Sequence, residues 1–290
     1  MGGVKELGRR LRAVLGTAKI TRAMQLVASS KMAKAQRAAV GGRRHGMRLE
    51  ELATLLLQDG ALPPVPLCAA RTVLRRGIVV VSSDRGLCGS FNQNTLRAAA
   101  GNSASFIAIG RKGAQFLAAR GMDLLAEFSL NDQVPFFQVR SIANHLIDCY
   151  LSGKIDTVEV VYPFFVNTLE QRVLWKKLLP FQNLAENLPI RRVLPVEGGD
   201  PLPKDGRPLL VEPSRAVVVA KLVEEFFRLE LFQLLREAKA AEQSARMVAM
   251  KTATDNAEAL AKELRMKCNK VRQATITDEI LEITAAAGAK

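Results

Sequence analysis

Apolar residues recur at helical spacing from the start of the chain: Val4, Leu7, Leu11, Val14 and Ala18, then Ile20, Met24, Val27 and Ala35, with Lys31 at the position between the last two. Alternating steps of three and four are those of a heptad seam, the stripe through which two helices pack in a coiled coil. The pattern slips between Ala18 and Ile20, which predicts an irregular supercoil there. No proline lies between Val4 and Leu57, so a single helix about 80 Å long is expected at ~1.5 Å per residue. A helix of that length is no wall of an ordinary globular core.

The segment GALPPVPLCA at 60–69 ends the helix, and a different period follows. GIVVVSS (77–83), ASFIAIG (104–110), MDLLAEF (122–128) and DTVEVVY (156–162) are rich in β-formers and bounded by Gly, Asp or Pro, and so read as strands. Between them NQNTLRAAA, RKGAQFLAAR and VRSIANHLIDCYLSG read as helices. Alternation of this kind predicts a mostly parallel, Rossmann-like sheet, with QRVLWKKLL at 171–179 as an added edge strand. Residues 180–213 are proline-rich and read as a loop. From Ser214, placed as an N-cap, there is neither Pro nor Gly until Gly288, predicting a second helix of about 110 Å. Its expected seam is Val219, Leu222, Phe226 and Leu229, continued by Ala238, Ala241, Ala245 and Ala249.

The fold class expected is α+β (α/β): a long antiparallel coiled coil of N- and C-terminal helices with a Rossmann-like α/β domain inserted between them. Antiparallel pairing buries both seams, because the inserted domain returns the chain to where it left. The division is a coiled-coil helix at 1–58, an α/β foot domain at 59–213 and a second coiled-coil helix at 214–290. The alternative is that each long pattern breaks into shorter helices of a bundle.

Charge changes the picture. The net charge of +14 is concentrated: residues 1–50 hold 12 Lys and Arg against 2 Asp and Glu, and residues 51–214 hold 17 against 15. The first helix is therefore expected to meet something anionic, whether nucleic acid, a lipid surface or acidic protein loops. Nucleic acid is the runner-up partner, since no aromatic for base stacking occurs before Phe91. No apolar run approaches the ~18 residues that span a bilayer. The basic N-terminus leads straight into helical periodicity, without the apolar core of a leader, and reads as mature sequence.

Chemistry is sparse. Cys68, Cys88, Cys149 and Cys268 are far apart and only two histidines occur, so neither a zinc site nor a disulfide framework is suggested and a reduced compartment is the default. SSDRGLCGSFN at 82–92 joins a strand to a helix, where a phosphate could sit, but Gly86 and Gly89 fit neither GxGxxG nor a P-loop. A tight structural turn is expected, with Asp84 and Arg85 contacting a neighbouring element. Cys88 has no base nearby in sequence. His45 beside Arg43 and Arg44, and His145 near Asp148, read as structural or solvated. No catalytic, cofactor-binding or metal-binding residue is expected.

Four segments then carry a resemblance: KITRAMQLVASSKMAKAQ (19–36), SSDRGLCGSFN (82–92), EQSARMVAMKTATDNAEAL (242–260) and NKVRQATITDEILEI (269–283) resemble, in order along the whole length, the gamma subunits of F-type ATP synthases. The resemblance implies a non-catalytic rotor shaft without cofactors. Its coiled coil would turn inside a ring of alpha and beta subunits, and its foot would sit with the epsilon subunit on the c-subunit ring. It would be peripheral, on the cytoplasmic face of the bacterial plasma (inner) membrane. By match to family positions Met24, Arg246, Arg272, Gln273, Thr277 and Glu282 would line the rotor and stator contact or the helix pair behind it. Charge adds Lys19, Arg22, Lys31 and Lys34 as contacts to acidic beta loops. Gln25 stands where the family motif usually has an acid. The cysteine pair of the chloroplast members has no counterpart here, so no thiol switch is expected.

Overall fold

The computed structural model describes residues 2–58, 65–69, 71–181 and 211–288, with side chains for 5–38, 65–69, 71–181, 211–281 and 284. The expected loop at 180–213 falls mostly outside the described residues. Two compact units are formed, residues 30–245 and residues 1–29 with 246–290.

In the larger unit the strands are β1 (Arg76–Val81), β2 (Ser105–Ile109), β3 (Leu124–Phe128), β4 (Thr157–Phe165) and β5 (Gln171–Leu179). Each begins within two residues of its expected position. The order is β3-β2-β1-β4-β5, with β5 antiparallel to β4 and the other neighbours parallel. Central strands are covered on both faces, which is why β1 carries an unbroken IVVV run and β4 is apolar along most of its length, with Glu159 the charged exception, while the edge strand β3 alternates. Helices α2 (Phe91–Ala100) and α3 (Arg111–Ala119) link β1 to β2 and β2 to β3. Both lie over one face, enclosing Ile78, Val80, Phe106, Leu96 and Leu117. Helix α4 (Phe136–Leu151) returns the chain across to β4 over the other face, burying Val139, Ile142, Leu146 and Tyr150 at helical spacing.

That second face is completed by the long C-terminal helix, α5 (Arg215–Gly288). Ser214 caps its start, its Oγ accepting from the Val217 N–H at 3.4 Å. Val219, Val223, Phe226, Phe227, Leu231, Leu234, Leu235 and Ala238 enter the sheet core. The expected seam through Leu222 and Leu229 is therefore corrected here: both are only partly buried. A sheet covers a wider arc of a helix than a single partner helix does, so a broad face is buried rather than a two-residue stripe.

The smaller unit contains parts of α1 (Gly2–Gln58) and α5. On α1 the buried residues are Ala18, Thr21 and Ala28; on α5 they are Met250, Thr254, Ala261 and Leu264. With the half-buried Leu7, Leu11, Val14 and Gln25 on one helix and Ala257 and Cys268 on the other, each set keeps unbroken steps of three and four, over residues 7–28 and 250–268, and the half-buried Thr275 follows a full heptad later. The expected slip after Ala18 is absent. Ile20 and Val27, assigned to the seam by hydropathy, are 62% and 54% exposed. The physical reason lies in Thr21 and Thr254, whose hydroxyls hydrogen-bond to each other at 2.7 Å and so enter the seam without an unpaired polar atom. With Thr21 facing Thr254, antiparallel heptads place Ala18 opposite Ala257 and Leu11 opposite Leu264.

Candidate functional site

In doubly wound sheets ligands bind beyond the carboxyl ends of the strands, where the strand order reverses. Here that switch point lies between β1 and β4, and the loop leaving β1 is the 82–90 segment. Its interior is fully engaged. Ser82 Oγ accepts from the Gly113 N–H at 2.8 Å and donates to the Gly110 carbonyl at 3.1 Å. Gly110 has φ +107°, and a Cβ on it would lie 2.2 Å from the Ser82 carbonyl oxygen. Asp84 accepts from the Arg111 N–H at 3.0 Å, capping α3, so this residue does contact a neighbouring element. Asn92 bridges Ser83 and Cys88, and Cys88 is buried.

The crevice itself holds a helix. Ala241 of α5, fully buried, packs on Cys88 and Phe91, with Phe165 and Ala245 at the margin. One turn on, the Ser244 hydroxyl donates to the Thr168 carbonyl, in the turn between β4 and β5, at 2.8 Å. A small residue lets the helix backbone approach where a nucleotide would otherwise lie. The 82–92 turn is thus part of a grip on α5.

Ionic contacts reinforce the grip. Lys176 of β5 pairs with the buried Glu230 of α5. Burial pushes the Glu230 carboxyl above its usual range, and the Lys176 ammonium draws it back without cancelling the shift. Arg228, also buried, reaches Glu225 at 2.6 Å, Asn144 of α4 at 3.1 Å and Glu224 at 3.2 Å. Asp132, in the loop leaving β3, accepts from Lys31 of α1 at 2.6 Å and stands 3.5 Å from both Lys239 Nζ and Gln243 Nε2 of α5. Burial acts against this carboxylate, but the two ammonium groups outweigh it and hold its pKa below the usual value. Arg236 stacks on Phe232 at 3.9 Å and donates to the Ala38 carbonyl of α1 at 2.8 Å. His145 lies edge-on to Phe128 at 5.5 Å, with Nε2 3.5 Å from Cys149 Sγ, in a structural setting. His45 lies outside the residues with described side chains.

The residues expected along the rotor contact are spread out. Met24 is half-buried at the flank of the seam, and Arg246 is half-buried one turn before Met250. Arg272, Gln273 and Thr277 are exposed, and the Thr277 hydroxyl bonds back to the Gln273 carbonyl at 2.9 Å. Arg246 and Gln273 share one helix, so 27 residues put them about 40 Å apart at ~1.5 Å per residue. The side chain of Glu282 is outside those described. Lys19 and Lys34 are exposed, and Arg22 lies 3.7 Å from Glu258. Lys31 is paired within the chain, with Asp132. Sequence reasoning did not single out Thr21, Thr254, Asp132 or Ser244; for Asp132 and Ser244 the partners are remote in sequence.

A sheet of this topology whose switch-point crevice is filled by a helix of the same chain, together with a second unit in which parts of α1 and α5 pair, defines a class of chain, and comparison places it. Residues 3–289 match the family model described as ATP synthase. The ATP synthase gamma chain of Opitutus terrae is 37% identical over 99% of this chain and 98% of its own length. That of Desulforamulus reducens is 35% identical over 100% of this chain and 99% of its own. Among solved structures, a chain of the Tetrahymena thermophila mitochondrial ATP synthase central stalk and c-ring superposes with a TM-score of 0.57 at 25% identity, covering 81% of this chain and 99% of that one. A chain of the Euglena gracilis mitochondrial ATP synthase, in a complex of OSCP, F1 and c-ring, shares the fold, with a TM-score of 0.69 at 18% identity over 99% and 94%.

The chain belongs to the ATP synthase gamma-chain family. Among the described residues no helix is long and apolar enough to cross a membrane.

Proposed function

We propose that this chain is the central rotor shaft, the gamma subunit, of an F-type ATP synthase. It couples proton-driven rotation of the c ring to conformational change at the catalytic sites of the beta subunits, and is itself non-catalytic. The observation that carries this reading is the distribution in the smaller unit: Ala18, Thr21, Ala28, Thr254 and Ala261 are buried in the seam beside Met250 and Leu264, while the large apolar Ile20, Leu26, Val27, Met266, Ile276 and Ile280 face outward. A helix pair that carries many large apolar side chains on its outer surface is built to be surrounded. A ring of alpha and beta subunits would supply that surround, with acidic beta loops facing Lys19, Arg22 and Lys34. Membership of the family removes support from the nucleic-acid reading of the same basic block.

The resemblance implies a ring of three alpha and three beta subunits, and because a pair of helices has no three-fold symmetry, each catalytic site of the ring meets a different face of the shaft. Each site is then biased toward a different conformation by a different contact energy, as any conformational bias requires. Met24, Arg246, Arg272, Gln273, Thr277 and Glu282 are proposed to serve this contact or the helix pair behind it. The division into helix 1–58, foot 59–213 and helix 214–290 is proposed as the functional one, with the foot meeting the epsilon subunit and the c ring. The chain would be peripheral, on the cytoplasmic face of the bacterial plasma (inner) membrane, held there by its partners.

The test is reconstitution. The isolated chain is expected not to hydrolyse ATP. Assembled with alpha, beta, epsilon and c subunits in vesicles, it is expected to link hydrolysis to proton uptake. Substantial hydrolysis by the chain alone, or failure to co-assemble with the head subunits, overturns the reading.

A further inference from the structure

Both long helices are tied to the α/β body by one side chain. The carboxylate of Asp132 takes Lys31 of α1 at 2.6 Å on Oδ2, and Lys239 and Gln243 of α5 at 3.5 Å on Oδ1. Lys239 is itself buried and held by Glu242 at 2.9 Å. These residues lie at the limits of the larger unit in sequence: Lys31 is its second residue, and Gln243 is two residues before its end at Ala245. Close packing in the sheet core, with the Lys176–Glu230 and Ser244–Thr168 contacts, already holds α5; Asp132 is the body side chain that takes hold of α1 as well. A charge-assisted hydrogen bond is directional and fixes an angle. At this level α1 is bound to the body by the Lys31–Asp132 pair and to α5 by the Arg236 bond to the Ala38 carbonyl.

We propose that Asp132 is a positioning residue that clasps α1 and α5 to the α/β body at one angle, so that torque applied to the body enters both helices together. The proposal rests on the rotor reading above. It removes Lys31 from the cations available to partner loops and gives it an internal role. The loop leaving β3, at the end of the sheet where this fold ordinarily binds small ligands, becomes the attachment of a shaft.

The test uses Asp132→Asn, which keeps the shape of a partly exposed side chain and removes its charge, with Asp132→Glu as the conservative control. In the assembled complex in vesicles, the ratio of ATP-driven proton uptake to ATP hydrolysis is measured. Asp132→Asn is expected to lower the ratio at least threefold while the yield of complex and the rate of hydrolysis stay within twofold; Asp132→Glu restores the ratio. A purely structural role would lower yield and leave the ratio unchanged, and that result overturns the proposal. Should the variant complex not assemble, amide hydrogen exchange of the isolated full chain decides. Faster exchange confined to residues 30–38, with β1 and β4 unchanged, supports the clasp; uniform acceleration overturns it. If the unsubstituted chain itself fails to couple hydrolysis to pumping, the rotor reading falls, and the exchange measurement still judges the clasp.

Discussion

The two stretches of α5 are continuous and equally free of proline and glycine, yet they are built on opposite plans. Residues 219–244 bury large side chains, among them Phe226, Phe227 and Leu231, and carry buried Arg228, Glu230, Lys239 and Glu242 in ion pairs. Residues 250–275 bury a narrow line of Ala, Thr, Leu, Met and Cys and turn Leu260, Met266 and Val271 outward. The first stretch is sealed by its own chain, and the second leaves its outer surface for other molecules. One helix can thus be fixed at one end and presented at the other, which is what transmission of a rotation asks of it.

If the first stretch is core, Phe227→Ala should be the most damaging change. A fully buried Phe replaced by Ala typically costs about 3–5 kcal/mol, and denaturant unfolding of the isolated chain should show a loss of that size. In the second stretch the seam depends on a hydroxyl pair. Thr21→Val or Thr254→Val alone should cost about 1 kcal/mol, because the remaining hydroxyl loses a partner, whereas the double variant should cost less than the sum of the two. Additive losses in the double-mutant cycle would contradict the pairing.

The clasp gives the first stretch a dependence on pH. The folded-state pKa of Asp132 is depressed, so its contribution is present above the ordinary carboxylate value of about 4 and is lost as pH falls through the lower folded value. Acid titration followed by exchange at 30–38 should show those amides loosening as Asp132 protonates, and Asp132→Asn should remove that transition. The smallest effect on stability belongs to the exposed surface. Ile20→Ser should change unfolding by less than about 0.5 kcal/mol while lowering proton uptake per ATP in the assembled complex. A large loss of stability instead would mean that Ile20 is internal.

The same contrast explains what was legible in the sequence. The strands were, because buried parallel strands are written as IVVV or VEVV runs between Gly, Asp and Ser. Ser214 as a cap and the unbroken α5 were also legible, being local rules. The α1 seam was misread because hydropathy ranks Ile20 and Val27 above Thr21 and Ala28, and the residues that pack inward here are the small and hydroxylated ones. The wide face of 219–238 was misread because period alone does not say whether a helix meets another helix or a sheet. The grip was illegible, since Lys31, Asp132, Thr168 and Ser244 are brought together only by the sheet's connectivity. The function was legible through the four resembling segments rather than through charge, which pointed as readily to nucleic acid.

The central claim is that this chain turns within the head and carries work between its two ends. With the head fixed to a surface and a bead attached to the α/β unit of this chain in the assembled complex, ATP should drive stepwise rotation of the bead in one direction, three steps to a turn. A bead that stays still while the same complexes hydrolyse ATP would contradict the account.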